Sequence, residues 1–269
     1  MTAISAREPG GSESAPPPEH VQSLDRGLAV ICAFTRERPE LTLSDAARAI
    51  GVSRSTARRS LLTLQYLGYV GLVDGRFHLL PRVLDLGYAY LSSLGLPEIA
   101  QPHLEALTAD LREASSVAVL DGADIVYVNR VSTERIMRIT INVGTHFPAY
   151  ATSMGRVMLA ARTDAWISDW LDRTPLEPFN ENTVTDRDKF MAILADVRSA
   201  GFSLVDQELE RGLRSIAVPV RNRRGEVIAA ANVSLYVISG SPQEIERRVL
   251  TRLRQAAGAI ERDLRSGKL

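Results

Sequence analysis

The sequence predicts an α+β protein in two parts: a small winged helix-turn-helix, then a linker helix and a larger domain built on an antiparallel sheet. Three observations lead there. A helix–turn–helix–hairpin pattern occupies Leu41–Leu79, and a helix with apolar residues on more than one side follows from Pro81. From Ser116 onward, short strands joined by Asp-Gly and Arg-Gly turns are mixed with amphipathic helices.

Length and composition agree. A chain of 269 residues holds a small domain attached to a larger one. No apolar run approaches the length that spans a bilayer. Residues 1–19 are rich in Pro, Gly, Ser and Ala and lack the basic start and apolar block of a signal peptide, so they read as a disordered arm. Cys32 is the only cysteine, which excludes an internal disulfide and a cysteine-rich zinc site. His20, His78, His103 and His146 show no metal-ligand spacing. No metal, cofactor or membrane is expected, and the setting is expected to be cytoplasmic.

Ser23 is placed to cap a first helix in which Leu24, Leu28 and Ile31 recur at helical spacing, with Arg26 off that stripe; Pro39 closes the segment. Thr42 and Asp45 have the spacing of a capping box, and Ala46, Ala47 and Ile50 make a short helix ended by Gly51. Ser53 caps the next helix. There Ala57, Leu61 and Leu64 form an inward seam, Ser55, Thr56 and Arg59 point away, and Arg58 flanks them. Gly68 ends that helix, and Asp74-Gly75 between Tyr69-Val70 and Phe77–Leu79 is a two-residue hairpin signal. From Pro81 to Leu94, the residues Val83, Leu84, Leu86, Tyr88 and Leu91 exceed what one neighbour covers, the pattern of a helix packed on a second copy. Gly95 and Pro97 break the chain. The expected parts are therefore 1–19, 20–80, 81–96 and 97–269.

In the last part a helix from Glu98 to Glu113 precedes strands at Ser116–Leu120, Ile125–Val131 and Arg138–Val143. Helices at Ser153–Ala161, Asp164–Leu171 and Asp186–Ala200 follow. Strands at Phe202–Asp206, Ser215–Val220 and Val227–Leu235 and a helix from Pro242 to Arg265 complete it.

The helix after Ser53 is polar on its far side for about two turns and then turns apolar at Leu62 and Tyr66. Only its start suits a wet, charged groove, which is how a recognition helix docks on double-stranded DNA. Ser53, Arg54, Ser55, Thr56, Arg58 and Arg59 are the candidate contacts, joined by Arg26 and by Arg76 on the wing. Charge leans the same way: nine Arg face six acids from His20 to Tyr90, whereas 22 Lys and Arg face 23 Asp and Glu from Leu91 onward. One short helix reads too few bases for genomic specificity, so a homodimer on a pseudo-palindromic operator is expected.

Two segments of the larger domain carry polar chemistry. At Thr152 and Ser153 a helix start offers unpaired backbone N–H groups to an anion, with Arg156 one turn in; an ordinary capped helix reads the same way. From Asp206 to Val220, three acids and two arginines precede an apolar strand. Paired carboxylates can do acid–base work, so an enzyme fused to a DNA-binding domain is a second reading. No histidine or nucleophile is placed beside them, which favours structural roles for Glu208 and Arg211 and no catalytic residue.

Over almost everything from Val21 on, the chain resembles the IclR family of transcriptional regulators. The resemblance is carried by VQSLDRGLAV, LTLSDAARAIGVSRSTARRSLLTLQYLGYV, DGRFHLLPRVLDLGYAYLSSLGLPEIAQPHLEAL, IVYVNRV, INVGTHFPAYATSMGRVMLA and VDQELERGLRSIAVPV. The wording PRVLDLGYAYLSS, AYATSMGRVMLA and LVDQELERGLRSIAVPV is most similar to the PcaR/PcaU/PobR branch, which governs catabolism of protocatechuate and 4-hydroxybenzoate through the β-ketoadipate pathway. The resemblance implies a GAF-like effector domain, a homodimer and a pairing of dimers into a homotetramer. It also implies an effector pocket of Phe147, Ser153, Met154, Asp206, Leu213, Ser215, Asn232 and Ser234; some relatives carry Cys at Ser215 and Ser at Asn232. A small carboxylate effector is expected there, β-ketoadipate or protocatechuate before 4-hydroxybenzoate, with glyoxylate or a sugar acid as the alternative. Arg138, His146 and Arg156 are the nearest candidates to balance its charge, and Asp206 is expected to brace an arginine or a backbone amide.

Overall fold

The computed structural model describes residue 17, residues 19–133 and residues 141–266. They form two compact units that part between Ser93 and Leu94. The reading of 1–19 as an arm falls outside the described residues apart from Pro17 and Glu19.

The first unit holds α1 (Gln22–Cys32), β1 (Glu40–Leu41), α2 (Leu43–Ala49), α3 (Arg54–Tyr66), β2 (Val70–Val73), β3 (Arg76–Leu79) and, after a 3-10 turn, α4 (Leu84–Leu94). The capping box forms: Thr42 Oγ1 accepts Asp45 N at 3.2 Å, and Asp45 Oδ2 accepts Thr42 N at 3.1 Å. The Thr42 hydroxyl and backbone hold the Asp45 carboxyl below its usual range. Gly51 takes φ +64°, which sets the turn between α2 and α3. Val30, Leu41, Ala46, Leu61, Leu64, Val70 and Phe77 close the core. At the wing tip Asp74 and Gly75 take φ 49° and 77°, both positive as a type I′ hairpin requires.

Three sequence expectations change here. Helix α1 starts after Val21 with no side-chain cap among the described residues, so Ser23 lies inside its first turn. Leu24 and Leu28 are exposed while Val30 carries the packing, because α1 meets α3 along a stripe rotated from the predicted one. The wing also gains β1, with Leu41 opposite Phe77 in a sheet ordered β1-β3-β2. Two residues carry no readable period. On α4, Leu84, Leu86, Tyr88 and Tyr90 are exposed.

The second unit runs α5 (Leu96–Leu111), β4 (Ala114–Asp121), β5 (Asp124–Val131), β6 (His146–Pro148), α6 (Ser153–Ala160), α7 (Asp164–Arg173), α8 (Arg187–Ala200), β7 (Ser203–Asp206), β8 (Leu213–Arg221), β9 (Val227–Tyr236) and α9 (Pro242–Ser266). Among the described residues the sheet is six-stranded and antiparallel throughout, ordered β6-β5-β4-β9-β8-β7. Helices α5 and α9 cover one face and α6 the other. Ser115 Oγ donating to Leu104 O and Asn129 Nδ2 donating to Pro97 O mark the α5 face. Pro97 sits in the first turn of α5 instead of breaking the chain, since its missing N–H would have no helical partner there.

The expected strand Arg138–Val143 is displaced. Ile141–Val143 is not strand; a turn in which Asn142 O accepts Thr145 N, with Gly144 at φ 86°, delivers His146–Pro148 to the β5 edge instead. The rest of that prediction, 138–140, lies outside the described residues.

Candidate functional site

In the first unit, α3 turns its predicted contact surface outward. Arg54, Ser55, Arg58 and Arg59 are exposed and Thr56 is half-buried, while Ala57, Leu61 and Leu64 are buried behind them. Ser53 acts as the cap, its Oγ accepting Thr56 N at 3.2 Å. The same oxygen lies 2.9 Å from Ser55 Oγ and 3.0 Å from Thr56 Oγ1, so the three hydroxyls form one cluster at the helix start. The long cationic side chains of Arg54, Arg58 and Arg59 extend around it. Arg76 is exposed at the start of β3, and Arg26 is half-buried on α1.

The second site lies on the sheet face beneath α6. Side chains alternate between faces along a strand, so cross-strand register names the residues that share one. One row runs Ala114, Ser234, Ser215, Val205. The next runs Arg130, Ser116, Asn232, Ala217, Ser203, and a third begins Tyr127, Ala118, Ala230. Apart from Arg130, Tyr127 and Val205 these are small or short polar residues. Above them Ser153 Oγ stands 2.6 Å from Ser215 Oγ, and Met154 is buried beside it. Phe147 meets Tyr127 edge to face with ring centres 6.0 Å apart. Helix α6 is held close against the 3-10 turn that precedes it: Thr152 Oγ1 accepts Gly155 N at 3.1 Å, and a Cβ on Gly155 would fall 2.1 Å from the Ala149 carbonyl oxygen.

Several polar groups on this face are fully buried, which is costly unless they are satisfied. Ser116 and Ser153 are 0% exposed and Asn232 is 2% exposed. Asn232 Nδ2 donates to Ser234 Oγ at 3.3 Å, but its buried Oδ1 has no donor among the described residues. Arg130 Nη1 donates to Ser116 Oγ at 3.1 Å. Burial pushes the Arg130 guanidinium down from its usual pKa and the Tyr127 phenol up to about 12. Polar groups of this kind between apolar walls are what a small-molecule pocket offers.

The structure sets Ser153 against Ser215 and places Ser215, Asn232 and Ser234 on one sheet face, with half-buried Leu213 where β8 begins; Met154 on α6 and Phe147 on edge strand β6 belong to one apolar cluster. Asp206 stands apart. That residue pairs with Arg214, one step out of the Val205–Ser215–Ser234 row, and its Oδ1 accepts Arg214 Nε at 2.6 Å. Arg214 also donates to Gly240 O. Asp206 is therefore a brace for Arg214, and Val205 is the β7 residue on the pocket side. Arg156 is likewise spent within the protein. Its Nη1 and Nη2 each donate to Glu208 at 2.6 Å, its Nε donates to Tyr150 O at 2.8 Å, and the side chain is 2% exposed. Glu208 in turn accepts Val184 N at 3.0 Å, and exposed Arg211 pairs with Glu181. The acidic segment is thus a set of braces. His146 is half-buried on edge strand β6, and Arg138 lies outside the described residues. Sequence reading missed Ser116, Arg130 and Val205; the available signal was a lone cation closing the apolar run Ile125–Val128.

Comparison with known proteins follows this division. Residues 23–73 match the IclR helix-turn-helix domain, and residues 88–262 match the bacterial transcriptional regulator IclR C-terminal domain. The chain belongs to the IclR family. As an IclR protein it is a DNA-binding transcriptional regulator, and it is 44% identical over 235 residues to the Pca regulon regulatory protein of Pseudomonas putida, covering 87% of this chain and 80% of that one. It is similar to the structure of a transcriptional regulator from Rhodococcus sp. RHA1, with 50% identity, TM-score 0.84, and 93% of this chain and 100% of that chain covered. It is also similar to an IclR homologue from Microbacterium hydrocarbonoxydans complexed with 4-hydroxybenzoate, with 28% identity, TM-score 0.81, and 91% and 99% coverage. No described helix of this IclR chain is long and apolar enough to cross a membrane.

Proposed function

We propose that the protein is a cytoplasmic transcription factor for aromatic-acid catabolism whose affinity for its operator is set by a small carboxylate bound beneath α6. The carrying observation is the covered sheet face lined by Ser116, Ser153, Ser215, Asn232 and Ser234, where Asn232 Oδ1 lacks a donor among the described residues. A core that needed only to be stable would fill this space with apolar side chains. Relatives that share the division into two domains support the ligand class: one is named for the Pca regulon and another is complexed with 4-hydroxybenzoate. Protocatechuate, 4-hydroxybenzoate and β-ketoadipate are the acids to test.

The reading includes a homodimer on a pseudo-palindromic operator, with α4 and its exposed Leu84, Leu86, Tyr88 and Tyr90 as the dimer surface, and a dimer of dimers. Arg54, Ser55, Thr56, Arg58 and Arg59 face the major groove, and Arg76 reaches phosphate from the wing. The protein carries out no chemistry on its ligand.

Calorimetric titration of the full chain with the three acids and glyoxylate is the test. Saturable binding of at least one aromatic-pathway acid, lost in Ser153→Leu and Ser215→Leu, is expected. Binding of none of them, or binding untouched by both substitutions, overturns the pocket assignment.

A further inference from the structure

The polar face beneath α6 has two ends of different character. At the β8 end, Ser153 Oγ and Ser215 Oγ stand 2.6 Å apart, and either can donate. Such a pair suits a neutral hydroxyl, which also donates and accepts. The start of α6 lies here too, but a helix terminus offers only about half an elementary charge. Three strands away, at the β5 end, a full guanidinium charge is carried by half-buried Arg130. Its Nη1 donates to Ser116 Oγ at 3.1 Å, and the Ser116 row continues directly to Asn232. Asn232 is 2% exposed and keeps its Oδ1 without a donor among the described residues. Tyr127 shares β5 with Arg130, Phe147 lies on the neighbouring edge strand β6, and Met154 is buried on α6; Tyr127 and Phe147 meet edge to face and give the β5 end aromatic edges suited to a flat ring.

We propose that Arg130, with Ser116 beside it, anchors the effector's carboxylate, while the Ser153–Ser215 end reads a ring hydroxyl, so that the pocket selects a hydroxyaromatic monocarboxylate over an aliphatic dicarboxylate. This rests on the effector pocket proposed above and adds which end takes the charge. A planar guanidinium matches a carboxylate better than any other side chain and remains charged at working pH. Asn232 Oδ1 is an acceptor, so its donor on the ligand is the ring hydroxyl and not the carboxylate. Arg130, Ser116 and Asn232 lie on three adjacent strands, so the anchor is fixed by sheet register and not by a loop.

The test compares two ligands of nearly identical shape, 4-hydroxybenzoate and its uncharged amide 4-hydroxybenzamide, by calorimetry on the full chain. The wild type is expected to prefer the acid by at least tenfold. Arg130→Gln is expected to lose about 10- to 150-fold in affinity for the acid, the range for a hydrogen bond to a charged group, while its affinity for the amide changes little. Arg130→Lys is expected to keep part of the acid preference, which separates charge from folding. Ser215→Ala is expected to narrow the preference for 4-hydroxybenzoate over benzoate and leave acid against amide intact. Undiminished acid preference in Arg130→Gln overturns the anchor while leaving the pocket standing. Tighter binding of β-ketoadipate than of both aromatic acids by the wild type overturns the ligand class. Failure of the wild type to bind any acid sinks the pocket and the anchor together.

Discussion

Glu208→Gln is the substitution whose consequence the structure sets most tightly. The change keeps the shape of the side chain and removes its charge. Its partner Arg156 is 2% exposed and spends both terminal nitrogens on Glu208 at 2.6 Å, so the guanidinium is left in the interior without its counter-charge. Removing one member of a buried pair costs roughly 3–5 kcal/mol. Gln still offers one acceptor oxygen, which places the expected loss near the lower figure, about 3 kcal/mol. For a unit of this size that lowers the melting temperature by roughly 6–12 °C. Thermal unfolding followed by circular dichroism should resolve the second unit's transition and show that drop. Replacing both members, as Arg156→Met with Glu208→Leu, removes the stranded charge, so it should cost less than the sum of the single losses. Recovery will be incomplete, since Tyr150 O and Val184 N lose these donors and acceptors. A shift below about 1 kcal/mol for Glu208→Gln, or strict additivity in the double variant, would refute the reasoning that this pair works as a buried unit.

Two further outcomes are expected. Arg59→Ala should cost about 1–3 kcal/mol in operator binding and relax base preference, whereas Arg76→Ala should weaken all sequences alike and flatten the salt dependence by about one ion; equal effects of the two in a salt-series binding assay would remove the groove-and-wing division. Tyr127 makes stability fall in alkali: its folded pKa of about 12 lies above the ordinary value near 10, so its contribution is complete below pH 10 and lost as pH rises through 12. The loss is roughly 2–3 kcal/mol, and Tyr127→Phe should lack that part of the alkaline slope in urea titrations; parallel slopes would contradict it.

The first unit was legible because its signals are local. Thr42–Asp45, Gly51, Ser53 and Asp74-Gly75 each act within four residues, and each forms the cap or turn its chemistry demands. What stayed hidden depends on partners distant in sequence. Leu24 and Leu28 fit the helical period as well as Val30 does, and only the position of α3 decides which of them is covered. The strand pair Glu40–Leu41 exists through Phe77 and His78, not through its own two residues. Arg156 could be read as an anion contact until Glu208, fifty-two residues on, took both of its terminal nitrogens.

The same limit bears on Asp206, and it shows where the signal for the proposed pocket lies. A strand gives every second residue to a face, so one step decides whether Asp206 or Val205 shares the face beneath α6. An ionised acid would repel an anion, which fits the brace that Asp206 forms with Arg214; the pairing of Val205 with Ser215 puts the valine on the face beneath α6. The polar segment Asp206–Arg211 draws attention because it is charged, yet its charges are spent on Arg214, Arg156 and Glu181. The strands that build the pocket look bland by comparison. ASSVAV, SIAV and AAANVS are short of the β-branched and aromatic residues that strands prefer on the face that lies under α6, where Ala114, Ser116, Ala118, Ala217, Ala230, Asn232 and Ser234 stand. Small and polar residues alternating on a covered face are therefore what the proposed effector site rests on, and the charged run forms the braces beside it.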